Sequence, residues 1–148
     1  MKISPVVFPQ SLKEPFVVTS LEDTRYNCIA WAFGDNSKWY WPDEYMMAFW
    51  PASIPRSETV DAFIELFRSI GYEICENGDH ESLTEKVAIY VDEKGKPTHA
   101  ARQLATGEWT SKLGKSNDVS HSIYSMENGC YGNIGVFMSR DTQTTVPG

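Results

Sequence analysis

Three side chains set the chemistry open to this 148-residue chain. Cys28 stands at the head of an apolar run. His99 follows the Gly95 and Pro97 of a turn. Ser111 comes twelve residues after His99. A thiol at a helix start is biased toward thiolate, because unpaired N–H groups and the helix dipole favour negative charge there. The same N–H groups can hold the oxyanion of a tetrahedral intermediate. A thiol nucleophile also needs a base, and a histidine on a following strand supplies one. Residues 99–111 read as a hairpin whose ends return to one place, so a polar group at its far end can fix the imidazole tautomer. Ser111 is the first candidate for that role. Asn117, Asp118 and His121 are the alternatives if the next loop folds back. Lys112 can hold Cys28 as thiolate or bind a substrate carboxylate, and reads equally as a solvated charge on an edge strand. Asn27, Trp31, Trp41 and Trp109 are candidate substrate contacts. Trp39 can join them along a groove for a sugar or peptide, although tryptophans also serve as core. His80, in a polar turn, is expected to be solvated.

These residues need elements to position them. Pro5, Pro9 and Pro15 exclude a helix interior from the first 22 residues. That stretch reads as an extended arm with a short strand near Phe16–Val18. Apolar residues 28, 29, 32 and 33 predict a short helix, capped by Thr24 or Asn27 and stopped by Gly34. Trp39-Tyr40-Trp41-Pro42 reads as an aromatic loop. Asp43 can cap a second helix over 44–49. A third helix follows Ser57, with Val60, Phe63, Ile64, Phe67 and Ile70 as its stripe and Gly71 as its stop. From residue 72 the period becomes strand-like. Strands are expected at 72–75, 86–91, 98–104, 108–112 and 131–138, with a short helical turn from Asn117 to His121. The domain plan is a single domain over 1–148: an arm (1–22), a helical part carrying the nucleophile helix (23–71), an antiparallel sheet (72–138) and a flexible tail (139–148). Helices followed by a sheet give an α+β class.

Composition removes several functions. Thirteen Lys and Arg against 20 Asp and Glu leave a net charge of −7 and a pI near 4.9. That balance disfavours nucleic acid and anionic membranes as partners, since both need clustered cations. An apolar fraction of 41% is enough for a real core and excludes wholesale disorder. The N-terminus has no apolar signal segment, and no run approaches bilayer length. With three widely spaced cysteines, these features predict a reduced cytoplasmic protein without a disulfide framework. Export by a signal-independent route would leave the same pattern. Cys75 and Cys130 are expected to be core thiols. No Cys or His spacing fits a metal.

The order Asn27-Cys28, then His99, then Ser111 one hairpin later resembles the NlpC-type branch of the papain-like cysteine peptidases. There an Asp-Cys pair opens the nucleophile helix, and a histidine begins a strand. The chain is also similar, over most of its length, to an uncharacterised bacterial family sharing Tyr-Asn-Cys-Ile-Ala-Trp-Ala, Thr-His-Ala-Ala-Arg-Gln-Leu and Trp-Thr-Ser-Lys-Leu-Gly. The first resemblance implies N-terminal helices packed on an antiparallel sheet. It also implies a hydrolase that cleaves an amide bond in a peptide, protein or peptidoglycan-like substrate. Cys28 would be the nucleophile, His99 the base and Ser111 the orienter, with no metal or cofactor. The N–H of Cys28 would contribute to the oxyanion hole. Two rivals accompany this reading. A glutamine deamidase or acyltransferase would use the same thioester, and a protein- or glycan-binding module would keep Cys28 buried and inert.

Overall fold

The apolar stripe after Pro55 forms a helix because every third or fourth residue can be buried at once. The computed structural model describes residues 17–18, 25–35, 37–104, 106–112, 118–121 and 131–141. Its elements are β1 (Val17–Val18), α1 (Cys28–Phe33), α2 (Val60–Arg68), β2 (Glu73–Cys75), β3 (Thr84–Val91), β4 (Pro97–Gln103), β5 (Trp109–Lys112), β6 (Asp118–His121) and β7 (Asn133–Asp141). The class is α+β. Seven strands form one sheet in the order β1-β6-β5-β4-β3-β7-β2, and every neighbouring pair is antiparallel. Among the described residues, no helix is long and apolar enough to cross a membrane.

The sheet has two unlike faces, and strand alternation decides which residue goes where. On one face, Val87, Ile89, Ala100 and Met138 pack with Ile29, Ala30 and Ala32 of α1 and Phe63, Leu66 and Phe67 of α2. Phe63, Leu66 and Phe67 are fully buried. Each buried side chain of this kind is worth roughly 1.5–3 kcal/mol. On the other face, Ala88, Tyr90, Ala101, Trp109 and Val119 form a smaller cluster, joined by Tyr131, Ile134 and Phe137.

Several local expectations change on contact with the structure. The α2 cap is Thr59, whose side chain accepts from the Ala62 N–H, and not Ser57. Residues 44–49 form no helix. The Asp43 carboxylate accepts from the N–H groups of Met47 (2.8 Å) and Ala48 (3.1 Å), which closes a turn. The Arg56 guanidinium donates to the carbonyls of Asp43 and Ala48, occupying acceptors a helix would use. Residues 118–121 form a strand, not a helical turn, because β6 pairs with β5 on one side and β1 on the other. The last strand runs on to Asp141, three residues into the expected tail. Cys75 is only half-buried, with its thiol on the Asn77 carbonyl, so it is not a core thiol. His80 is exposed, as expected. The expectations for Cys130, Asn117, residues 142–148 and most of the arm lie outside the described residues.

Candidate functional site

Asn27 builds the start of α1. Its side-chain oxygen accepts from the Ala30 N–H (3.1 Å) and from the Tyr40 N–H (3.1 Å), while its amide donates to the Tyr40 carbonyl (2.6 Å). At the other end Gly34 takes φ +103°, a conformation that suits glycine, and ends the helix after six residues. Six residues suffice to set Cys28 beneath β4, since α1 packs on β4 and β5.

Cys28 is 6% exposed. Main-chain N–H groups of Ala100, Ile29 and Cys28 itself face it and favour its anion, as does the nearby Lys112 ammonium. Burial outweighs them and pushes the thiol up to about 11. Cys28 therefore rests as a neutral thiol. The Ala100 contact has a topological cause. Registered pairs of β4 with β5 comprise Gln103–Trp109 and Arg102–Thr110, and Leu104 N–H donates to the Glu108 carbonyl. Even-numbered residues of β4 thus point their N–H groups toward β5. Past Arg102 the ladder opens, and the freed Ala100 N–H meets the sulfur of Cys28. The thiol sits at the seam between the strand of His99 and the strand of Ser111.

His99 is fully buried, and its Nε2 lies 2.9 Å from the Ser111 hydroxyl. That hydroxyl is also 2.8 Å from Nε2 of His121. Burial first, and the neighbouring His121 second, hold the His99 imidazole well below its usual range, so it rests neutral. The Tyr131 ring stacks on it at 4.0 Å and 7°, and Tyr90 meets it edge-on at 5.3 Å. Beside Tyr131, Gly132 lies against the Val91 carbonyl, where a Cβ would clash. His99 Nδ1 is buried with no hydrogen-bond partner among the described residues.

The structure thus brings His99 and Ser111 into contact and adds His121. It does not put the Cys28 thiol in hydrogen-bond contact with the imidazole. The side chain of His99 goes with Tyr90 and Ala101, on the face away from α1. The reason is a bulge. Tyr90 pairs with His99 but Val91 with Pro97, leaving Thr98 as an extra residue that resets which face His99 occupies.

The other candidates divide the same way. Lys112 is fully buried on the α1 face, with its ammonium 5.0 Å from the Tyr26 ring centre, and is not a solvated charge. Trp31 donates to the Thr110 hydroxyl (2.7 Å) and carries the Arg102 guanidinium over its ring. Trp41 donates to Glu58 (3.0 Å) and packs edge-on against Phe63. Trp39 is half-buried in the aromatic loop. Trp109 is 4% exposed in the far-face core, against Phe137. An open groove of about 590 Å³ lies elsewhere, between Met46, Trp50, Ile54 and Arg56. Among the described residues no three His, Cys, Asp or Glu are grouped to hold a metal ion.

One contributor lacked a sequence signal, and a second was only an alternative. Tyr131 stacks on His99 across 32 positions, and no spacing rule links them. His121 was visible as a histidine near the hairpin, but only strand pairing shows that it reaches Ser111. No curated protein and no solved structure matches the chain. The protein-family model for the Domain of unknown function (DUF7689) matches residues 17–139, the stretch that carries α1, the seam and the buried histidines, and the chain belongs to that family.

Proposed function

We propose that this protein is a papain-like cysteine hydrolase that cleaves an amide bond in a peptide or peptidoglycan-like substrate. One observation carries the reading. The Cys28 sulfur meets the main chain of β4 at Ala100, the residue after His99, while His99 is held through Nε2 and keeps Nδ1 unpartnered. A buried imidazole anchored on one nitrogen and unpartnered on the other has the hydrogen-bond pattern of a general base.

Both groups rest neutral, so the reaction starts without a thiolate–imidazolium pair. In this reading the Cys28 proton passes to His99 Nδ1 as sulfur attacks the carbonyl carbon, a transfer that requires the thiol and the imidazole, which occupy opposite faces of β4, to be brought together at the Ala100 seam. The tetrahedral oxyanion is stabilised by N–H groups at the start of α1, and the buried Lys112 ammonium adds favourable field. Collapse breaks the C–N bond, and the leaving amine takes the proton from His99. Water, activated by the same nitrogen, then hydrolyses the thioester and returns the thiol. The net change consumes one water and yields an acid and an amine. If an acceptor other than water takes the acyl group, or the amide is that of glutamine, the same steps give acyl transfer or deamidation.

The test is the pH profile of Cys28 modification by a peptide vinyl sulfone, read by mass spectrometry at Cys28 alone. An unaided thiol titrating near 11 reacts about tenfold faster per pH unit below that point. The expected wild-type profile lies above that line and is flat near pH 7–8, and His99→Ala restores the steep climb. Identical steep profiles for both proteins refute the hydrolase.

One observation favours a second reading, a binding module with an inert thiol. Tyr45, Met46 and Met47 are 78%, 74% and 87% exposed beside the groove at Trp50, an apolar surface that suits a protein or glycan partner. On that reading Cys28→Ala leaves every interaction of the protein unchanged, whereas Met47→Asp removes one.

A further inference from the structure

Three consecutive strands each contribute one polar side chain to a line on the face away from α1. His99 comes from β4, Ser111 from β5 and His121 from β6. Ser111 stands opposite Val119, and His121 opposite Trp109, so His121 is the diagonal same-face neighbour of Ser111. The hydroxyl lies 2.9 Å from Nε2 of His99 and 2.8 Å from Nε2 of His121. The three residues are 0%, 0% and 7% exposed.

Proton counting limits what this line can be. A serine hydroxyl has one proton to give, and a neutral imidazole has one N–H and one bare nitrogen. Ser111 Oγ has no third partner among the described residues. If both imidazoles donated to it, its own proton would be buried without an acceptor, which costs about 1–3 kcal/mol. One imidazole therefore donates and the other accepts. When His121 accepts, the protons run His99 Nε2–H to Ser111 Oγ, then Ser111 Oγ–H to His121 Nε2. His99 then presents a bare Nδ1. In the opposite direction His99 Nε2 accepts and Nδ1 carries the proton, so Nδ1 has no lone pair to act as a base and its N–H is a buried donor without a partner among the described residues. The stack on Tyr131 and the edge of Tyr90 fix the ring plane.

We infer that His121 is a positioning residue: by accepting the Ser111 proton it holds His99 as the Nε2–H tautomer, with Nδ1 ready to act as the base. The inference rests on the hydrolase reading for its purpose, but the tautomers exist without substrate. It makes Ser111 a proton-ordered link rather than the end of a triad.

The experiment is a long-range proton–nitrogen NMR correlation on protein with ¹⁵N-labelled histidine, at pH 7.5. The wild type is expected to show His99 as Nε2–H and His121 as Nδ1–H. His121→Gln keeps an acceptor oxygen and is expected to leave the His99 tautomer unchanged. His121→Leu removes the acceptor, so the Ser111 hydroxyl turns to His99 and the tautomer becomes Nδ1–H. In that variant Cys28 modification near pH 7 should fall by about 100-fold, the lower end of what loss of a general base produces. A His99 Nδ1–H form in the wild type or in His121→Gln overturns the inference. So does a Nε2–H form that persists in His121→Leu. Should His121→Leu not fold, the first two proteins still decide. The two readings fail separately: expected tautomers with a Cys28 profile indifferent to His99 sink the hydrolase, and a His99-dependent profile with the wrong tautomers sinks only the relay.

Discussion

The two faces of the sheet are built from different physics. The α1 face is mainly an apolar wrap, in which Phe63 and Phe67 of α2 meet Ile89, Val87 and Ala100 across ordinary side-chain packing, with the Lys112 ammonium and the Trp31–Thr110 hydrogen bond at its β5 side. The far face has a smaller apolar cluster and buries a line of hydrogen-bonding groups, His99, Ser111 and His121, inside it. Cohesion of the first kind tolerates substitution in proportion to lost volume. The second kind fails when one partner is removed, because the groups left behind stay buried. Cys28 belongs to the first face by packing and reaches the second only at the seam.

Predictions can break this contrast. Phe63→Ala, which empties the space between Trp41 and Trp50, should cost about 3–5 kcal/mol in urea unfolding, the usual loss for a buried phenylalanine. The stack of His99 on Tyr131 should survive it, and loss of that stack in the folded variant would mean the faces are coupled. A pH series separates the faces next. Cys28 is raised by burial, so its contribution is complete below pH 9 and is lost as pH rises toward 11, by about 3 kcal/mol in all. Cys28→Ala should flatten that alkaline limb. His99 is depressed by burial, so its contribution is complete above pH 6.5 and is lost as pH falls, by about 1.4 kcal/mol per unit. His99→Gln should flatten only the acid limb, and an acid limb that remains in that variant would place the sensitivity elsewhere. Ser111→Ala leaves two imidazoles facing a methyl group and should cost about 1–3 kcal/mol. Thr110→Val, which strands the Trp31 N–H on the α1 face, should cost about 1 kcal/mol, measured the same way.

Local rules reached far along this chain. The caps at Asn27 and Gly34, the stripe of α2 and the hairpin that returns Ser111 to His99 all follow from residue type and short-range period. What escaped them depends on distant partners. β6 is a strand because Ser120 pairs with Val17, more than a hundred residues away. The turn at Asp43 replaces a helix because Arg56 supplies donors to its carbonyls. The face taken by His99 is set by the one-residue bulge at Thr98, and a single residue of register exchanges the two sides of a strand. Spacing therefore located the imidazole beside Ser111 but said nothing of the wall between it and α1. Cys75 stays out of the core because β2 is the end strand of the sheet, a place its residue type does not reveal.

Asn27 has a consequence beyond ending a helix. Its amide clamps the main chain of Tyr40 in both directions, donating to the carbonyl and accepting from the N–H, as a strand neighbour would. An aspartate in its place would keep the cap but set two oxygens against the Tyr40 carbonyl, so the asparagine is required by the loop rather than by the helix. Through this one side chain the aromatic segment at Trp39–Trp41 and the residue before Cys28 share a hinge-free joint. Displacing that segment therefore breaks hydrogen bonds made by the residue next to the thiol.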